Sequence, residues 1–211
     1  MVAVAGGLWY NESRECEKDR TGKNMKNYQI TQWVHRFLKE QVKAGDLCID
    51  ATMGNGYDTA LLSQLAGEKG RVVAFDVQEM ALLHTRERLE KMGCPKNYEL
   101  VLQSHEEMDR YAKEDSVSCI TFNLGYLPGG DHEKATKADS SIRAIDTGLR
   151  LLKKQGLMTV CIYSGGDSGF EERDRVIGFL RELDPKKYLV ILSEYLNRPN
   201  HPPIPALIVR L

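Results

Sequence analysis

The residues best suited to chemistry crowd into one stretch, Asp50-Ala51-Thr52-Met53-Gly54-Asn55-Gly56-Tyr57-Asp58-Thr59. Gly54 and Gly56 remove Cβ atoms where the backbone must turn sharply, so a ligand can lie against the main chain. A helix starting just beyond them offers unpaired N–H groups. A second acid, Asp76, follows 22 residues after Gly54, the separation at which a carboxylate on the next strand reaches a ribose diol. Such a combination is a nucleotide-cofactor turn. A dinucleotide turn would carry a third glycine where this chain has Thr59, and a Walker loop needs a Gly-Lys-Ser/Thr that does not follow. The plain alternative is a glycine turn that only joins strand to helix, and Asp76 argues against it.

A second stretch with chemical potential is Asn123-Leu124-Gly125-Tyr126-Leu127-Pro128-Gly129-Gly130-Asp131. An amide carbonyl at Asn123 can accept a hydrogen bond from the N–H of a neutral amine and orient its lone pair, while Tyr126 can stack on a base. A strand-end turn closed by Pro128-Gly129-Gly130 is the plain reading of the same residues. Asp131, Tyr163 and bulk water are the candidates for taking up the amine proton. Lys134, Lys137, Arg143 and Arg198 could meet phosphates, and Tyr126, Tyr163 or His201 could stack on splayed bases.

The elements that must position these residues follow from hydrophobic periodicity. Ile30, Trp33, Val34, Phe37, Leu38 and Val42 recur at helical spacing and predict a helix from Tyr28 to near Gly45. Leu47-Cys48-Ile49 is an apolar strand feeding the glycine turn, and Arg71 to Val77 is a second strand ending around Asp76. A helix over Glu79 to Met92, a strand from Tyr98 to Gln103 leading to Ser104-His105, and a strand from Val117 to Phe122 come next. A long helix ending near Gly156, a strand from Leu157 to Tyr163, a helix over Glu171 to Leu183, and strands at Tyr188 to Leu196 and Pro205 to Leu211 complete the chain. No helix fits between the last two strands, so they are antiparallel neighbours. Alternating strands and helices closed in this way predict an α/β, Rossmann-like, seven-stranded and mostly parallel sheet with helices on both faces. In such a sheet ligands sit beyond the carboxyl ends of the strands, where the loops carrying these residues converge.

Composition is compatible with one globular domain: 211 residues, 42% hydrophobic and 28% charged, with no apolar run long enough to span a membrane. Residues 1–27 mix apolar and charged positions without a period and read as a poorly ordered extension ahead of a domain over residues 28–211. They lack the features of a secretory signal, so a cytoplasmic location is expected. The net charge of −1 means that a nucleic-acid partner must be held by a local basic face. The five cysteines form no Cys-x-x-Cys pair and suggest no zinc site, so no metal is expected. Oligomeric state, a homodimer included, is left open.

The acid followed by Gly-Asn-Gly resembles the first motif of Rossmann-like S-adenosylmethionine (SAM) methyltransferases, and Asn123-Leu124-Gly125-Tyr126 resembles their Asn/Asp-Pro-Pro-aromatic loop. Together with Phe75-Asp76-Val77-Gln78, Tyr163-Ser164-Gly165, Glu171-Glu172, Asn197 and Pro202-Pro203, the motifs are similar to those of the small bacterial family long labelled rRNA methylases. Its better-defined members are the MnmM (YtqB) tRNA methyltransferases. The similarity covers about residues 28 to 211. Tyr57, where a histidine is expected, and Ser164-Gly165-Gly166-Asp167, in place of a Gly-His-x-Gly-like loop, depart from the pattern.

The resemblance implies SAM-dependent methylation of the 5-aminomethyl group of a wobble (2-thio)uridine in the tRNA anticodon. On that reading Asp50, Thr52, Gly54, Asn55, Gly56 and Asp58 meet the methionine end of SAM. Asp76 and Gln78 take the ribose, and Ser104 or His105 the adenine edge. Asn123, Tyr126 and Asp131 serve catalysis, Asn123 also meets the cofactor, and Tyr126, Pro128, Tyr163, Arg198 and His201 bind substrate. Ribosomal RNA or a small-molecule amine are alternative substrates, and a SAM- or NAD-binding module without catalysis is the alternative of another class.

Overall fold

Seven strands join in one sheet: β1 (Leu47–Asp50), β2 (Arg71–Asp76), β3 (Tyr98–Leu102), β4 (Val117–Leu124), β5 (Leu152–Ile162), β6 (Tyr188–Leu192) and β7 (Ile204–Arg210), in the order β3-β2-β1-β4-β5-β7-β6. The structure is a computed structural model that describes residues 29–125, 138–164 and 169–211. The extension expected over residues 1–27 lies outside the described residues, as do Tyr126, Pro128, Asp131, Lys134 and Lys137. Strands β1 to β5 pair in parallel, and β7 runs antiparallel to both β5 and β6, as the missing crossover required.

Strands buried on both faces read as continuous apolar runs, and β4 is the clearest case, with Ile120, Phe122 and Leu124 inaccessible to solvent. These side chains face a core shared with α4 (Ala138–Leu151) and α5 (Gly169–Arg181) through Ile145, Leu149, Val176 and Leu180. The opposite face is covered by α1 (Ile30–Gln41), α2 (Tyr57–Ala66) and α3 (Glu79–Lys91). Helix α1 lies there through Val34, Leu38 and Val42, which pack with Cys48, Leu62, Cys119 and Cys161. Cys48, Cys119 and Cys161 are buried free thiols whose ionisation burial opposes, as expected of small hydrophobes.

The observed ends differ from the periodicity in three places. Helix α4 stops at Leu151 and β5 begins at Leu152, five residues before the expected strand start. Leu152 pairs with Val117, the register shifts, and regular pairing resumes opposite Cys119 at Leu157. The chain passes through a positive φ at Gln155, and a Cβ on Gly156 would come within 2.8 Å of the Leu152 side chain. Strand β6 ends at Leu192 because the chain beyond it leaves β7, and Leu196 is fully exposed. Strand β4 runs on to Leu124, so Asn123 is a strand residue with a fixed backbone.

The order of strands reverses between β1 and β4, where a ligand crevice is expected. Among the described residues no helix is long and apolar enough to cross a membrane. Leu38 is fully buried between α1 and the sheet. Leu38→Ala should lower stability by about 2–5 kcal/mol, read as a shifted urea midpoint at unchanged slope.

Candidate active site

The glycine turn is built by its neighbours on α3. Gly54 and Gly56 both have positive φ, and Gly56 precedes α2 in the left-handed conformation. A Cβ on Gly56 would lie 2.8 Å from the Thr85 main chain, so α3 can pack this tightly only against a glycine. Thr85 Oγ1 donates to the Gly54 carbonyl at 3.1 Å, and Arg88 Nε donates to the Asn55 carbonyl at 2.6 Å. The Arg88 guanidinium also stacks 3.2 Å from the centre of the Tyr57 ring, which gives the departure at Tyr57 a place in the turn. The Asn55 side chain bonds His84.

Asp76 stands at the end of β2, where it accepts from the N–H groups of Gly54 at 3.1 Å and Gln78 at 3.0 Å. Burial raises its pKa, against these backbone donors that lower it. The acid therefore locks the turn from the side where a ribose is expected.

Asp50 is a correction to the sequence reading. Its side chain is completely buried, with Oδ2 accepting from Thr59 Oγ1 at 2.6 Å and Oδ1 from the Thr52 N–H at 3.2 Å. No surface is left for cofactor contact, so Asp50 shapes the turn from beneath. Thr59, in the place of a third glycine, is its hydrogen-bond donor. Burial first, then the charge of Asp58, pushes the Asp50 carboxyl up to about 7, against the Thr59 and Thr52 bonds.

Asp58 is the junction of the site. Its Oδ1 lies 2.6 Å from His35 Nε2 and its Oδ2 accepts from Asn123 Nδ2 at 2.8 Å, so both oxygens have partners inside the protein. Asn123 is fixed a second time by its own N–H, which donates to Thr52 Oγ1 at 2.7 Å. Thr52 thus ties the turn to β4. A carboxylate only accepts, so the Asn123 amide must present its NH₂ to Asp58, and its carbonyl is turned away.

Sequence reasoning missed His35. Its available signal was position, because His35, Leu38 and Val42 recur on one helical face and put a polar ring on the buried side of α1.

Ser104 has a structural task as well. Its hydroxyl accepts from the Glu106 N–H and caps the 3₁₀ turn His105–Arg110. His105 follows with its ring edge-on to Phe122 at 5.9 Å. Burial lowers its pKa, against the charge of Glu106 and a backbone bond at Ala51, and its Nε2 is buried without a hydrogen-bond partner among the described residues. Thr121 Oγ1 and Ser164 Oγ share that condition.

The remaining predicted residues divide. Tyr163 follows β5, where a Cβ on Gly125 would lie 3.3 Å from its own, so the two strand ends meet closely. Arg198 and His201 are exposed on the β6–β7 connection, which returns to the sheet at Ile204, paired with Ile162. They share the end of the sheet that holds Asn123, and His201 packs against Phe170 at 5.0 Å. Arg143 is already bonded to Glu106 at 2.5 Å. Among the described residues no group of histidines, cysteines and acids could hold a metal ion.

The fold and the site define a class I methyltransferase, the Rossmann-like class that uses SAM. A family model described as "Putative rRNA methylase" matches residues 72–209, and the chain belongs to that family. It is 32% identical over 183 residues to the tRNA (mnm(5)s(2)U34)-methyltransferase, chloroplastic, of Arabidopsis thaliana, covering 82% of this chain and 67% of that protein. An rRNA-methylase crystal structure from Clostridium thermocellum is 40% identical and superposes with a TM-score of 0.83 over 87% of this chain and 98% of its own. A methyltransferase from Streptococcus mutans in complex with SAH is 38% identical, with a TM-score of 0.78 over 86% of this chain and 97% of its own.

The residues present fit SAM. Gly54 and Gly56 turn the chain through positive φ at the end of β1, Asp76 ends β2 beside that turn, and a buried histidine nitrogen in the next loop lacks a partner among the described residues.

Two outcomes test this geometry. Gly56→Ala should destabilise the protein by about 2 kcal/mol or more, through backbone strain and the clash with Thr85, measured by denaturant unfolding. An acid with a raised native pKa contributes full stability below its unfolded pKa of about 4, and that contribution is lost as pH rises toward about 7. The wild-type protein should therefore lose stability across that interval more steeply than Asp50→Asn, and parallel urea profiles would show that Asp50 is not the group responsible.

Proposed function

We propose that this protein transfers a methyl group from SAM to the 5-aminomethyl group of the wobble (2-thio)uridine of a tRNA anticodon, forming the 5-methylaminomethyl product. The observation that carries the reading is the orientation of Asn123, whose NH₂ is committed to Asp58 while its backbone is tied to Thr52. Its carbonyl is thereby kept for an external donor. The N–H of a neutral amine is such a donor, and accepting it leaves the nitrogen lone pair directed at the methyl group. The relative named for this tRNA reaction supports the choice of substrate.

When bound, SAM supplies a methyl group on a positively charged sulfur that is already a good leaving group, so the protein's task is positioning. The Gly54-Asn55-Gly56 turn would hold the methionine end, Asp76 with Gln78 the ribose hydroxyls, and His105 the adenine edge. Asn123 holds the amine, and Tyr163 lies beside that strand end. The nitrogen sheds its extra proton to water, to Tyr163 or to Asp131. Arg198 and His201, exposed at the same end of the sheet, suit an anticodon loop. Among the described residues some surface cations are paired within the protein, as in Arg71–Glu99, Arg143–Glu106 and Arg175–Asp139, and stacking on splayed bases adds to the RNA contact. The family's description favours a second reading, in which the same chemistry acts on ribosomal RNA.

The deciding experiment offers labelled SAM with total tRNA from cells lacking the enzyme, and ribosomal RNA in parallel, followed by nucleoside mass analysis. A 5-methylaminomethyl uridine in tRNA is expected, whereas label in ribosomal RNA alone would move the assignment to the second reading. Asn123→Ala should lower kcat about 10²-fold with SAM affinity retained. Asp76→Ala should weaken SAM binding about tenfold or more, seen by calorimetry.

A further inference from the structure

We infer that His35, on α1 and outside the motifs that define the cofactor site, is a positioning residue that sets the direction of the Asn123 amide through Asp58. This rests on the proposed role of Asn123 toward an amine. His35 Nε2 and Asn123 Nδ2 meet opposite oxygens of one carboxylate, at 2.6 Å and 2.8 Å, from positions 23 and 65 residues away from Asp58. The His35 and Asp58 side chains are each 14% exposed, so water competes weakly for either bond.

Asp58 has no donor of its own and can satisfy its two oxygens only with N–H or O–H groups. With His35 holding one oxygen, the plane of the carboxylate is fixed and the other oxygen faces Asn123. Without His35 the carboxylate can turn to recruit a solvent donor, and the amide loses its reason to keep NH₂ inward and carbonyl outward. The backbone of Asn123 stays in place in either case, held by β4 pairing and by Thr52. The effect is therefore confined to the side chain that meets substrate.

A merely structural role for His35 is a poor match to the packing. Helix α1 is anchored by Val34 and Leu38, with Val42 just past its end, each at most 3% exposed, and these contacts do not involve the imidazole. Loss of the ring should leave α1 docked and the glycine turn intact.

The test uses the full chain with His35→Ala, His35→Gln and each combined with Asn123→Ala. His35→Ala should lower kcat about 10- to 100-fold while the SAM dissociation constant stays within about twofold. His35→Gln, whose amide N–H can still reach Asp58, should recover most of that loss. In the Asn123→Ala background His35→Ala should cost nothing further, because the two residues act in series. A further drop of the same size in that background, or weakened SAM binding at unchanged kcat, would overturn the inference. A readout independent of turnover is the ¹⁵N-resolved side-chain NH₂ signal of Asn123, assigned by its disappearance in Asn123→Ala. It should shift in His35→Ala and return in His35→Gln. An unmoved signal in both overturns the positioning role. If wild-type protein methylates neither RNA class, the substrate reading fails, and this signal alone decides the role of His35.

Discussion

Three carboxylates, Asp50, Asp58 and Asp76, are gathered at the carboxyl ends of β1 and β2, and the site is organised around satisfying them. Burial first, then the charges of Asp58 and Asp76, raises the pKa of Asp50, and burying such acids without partners would cost several kcal/mol. Each acid is met by donors drawn from a different part of the chain. Asp50 takes Thr59 and the Thr52 N–H, Asp76 takes the Gly54 and Gln78 N–H groups, and Asp58 takes His35 and Asn123. The resulting bonds tie α1, α2, β2 and β4 to one turn.

The three acids also divide the labour. Asp50 is wholly internal and fixes the start of α2, Asp76 closes the cofactor side, and Asp58 faces β4 and the proposed amine. That division explains Thr59. A dinucleotide fold uses glycine at this position so that its helix can pack close under a pyrophosphate. Here the close packing falls at Gly56 against Thr85, and position 59 is released to carry the hydroxyl that Asp50 needs. The same two observations disfavour an NAD site, since Thr59 is fully buried and its side chain committed.

Much of this fold was legible because period and burial agree. The apolar runs of the parallel strands, the helical spacing of α1 and the missing crossover before β7 each name an element and its neighbour. Failures came where an end depends on something other than period. The α4 to β5 boundary is set by a bulge and a positive φ at Gln155, and β6 stops where its chain leaves β7. In the site, residue type pointed to Asp50, but only the folded chain reveals that it is sealed under the turn. Ser104 read as a ligand, and the folded chain adds that its hydroxyl caps the N–H two residues on. Helical spacing marks His35 as a polar ring on the buried side of α1 but cannot name its partner, Asp58, 23 residues away, or through it β4.

Helix α1 consequently has two jobs that a cofactor motif does not reveal. Its apolar face closes one side of the sheet over β1, β4 and β5, which any amphipathic helix of this length could do. A histidine on that face is a different matter, since burying an imidazole is favourable only when its polar atoms are partnered. Asp58 supplies the partner, and a hydrogen bond to a charged group contributes about 1.5–3 kcal/mol. That is enough to offset the loss of an apolar side chain at the position, and it leaves a charge with a single remaining direction. Asn123 stands in that direction, at the end of the most buried strand of the sheet. The covering helix thereby extends control from the cofactor turn to the group that meets the substrate.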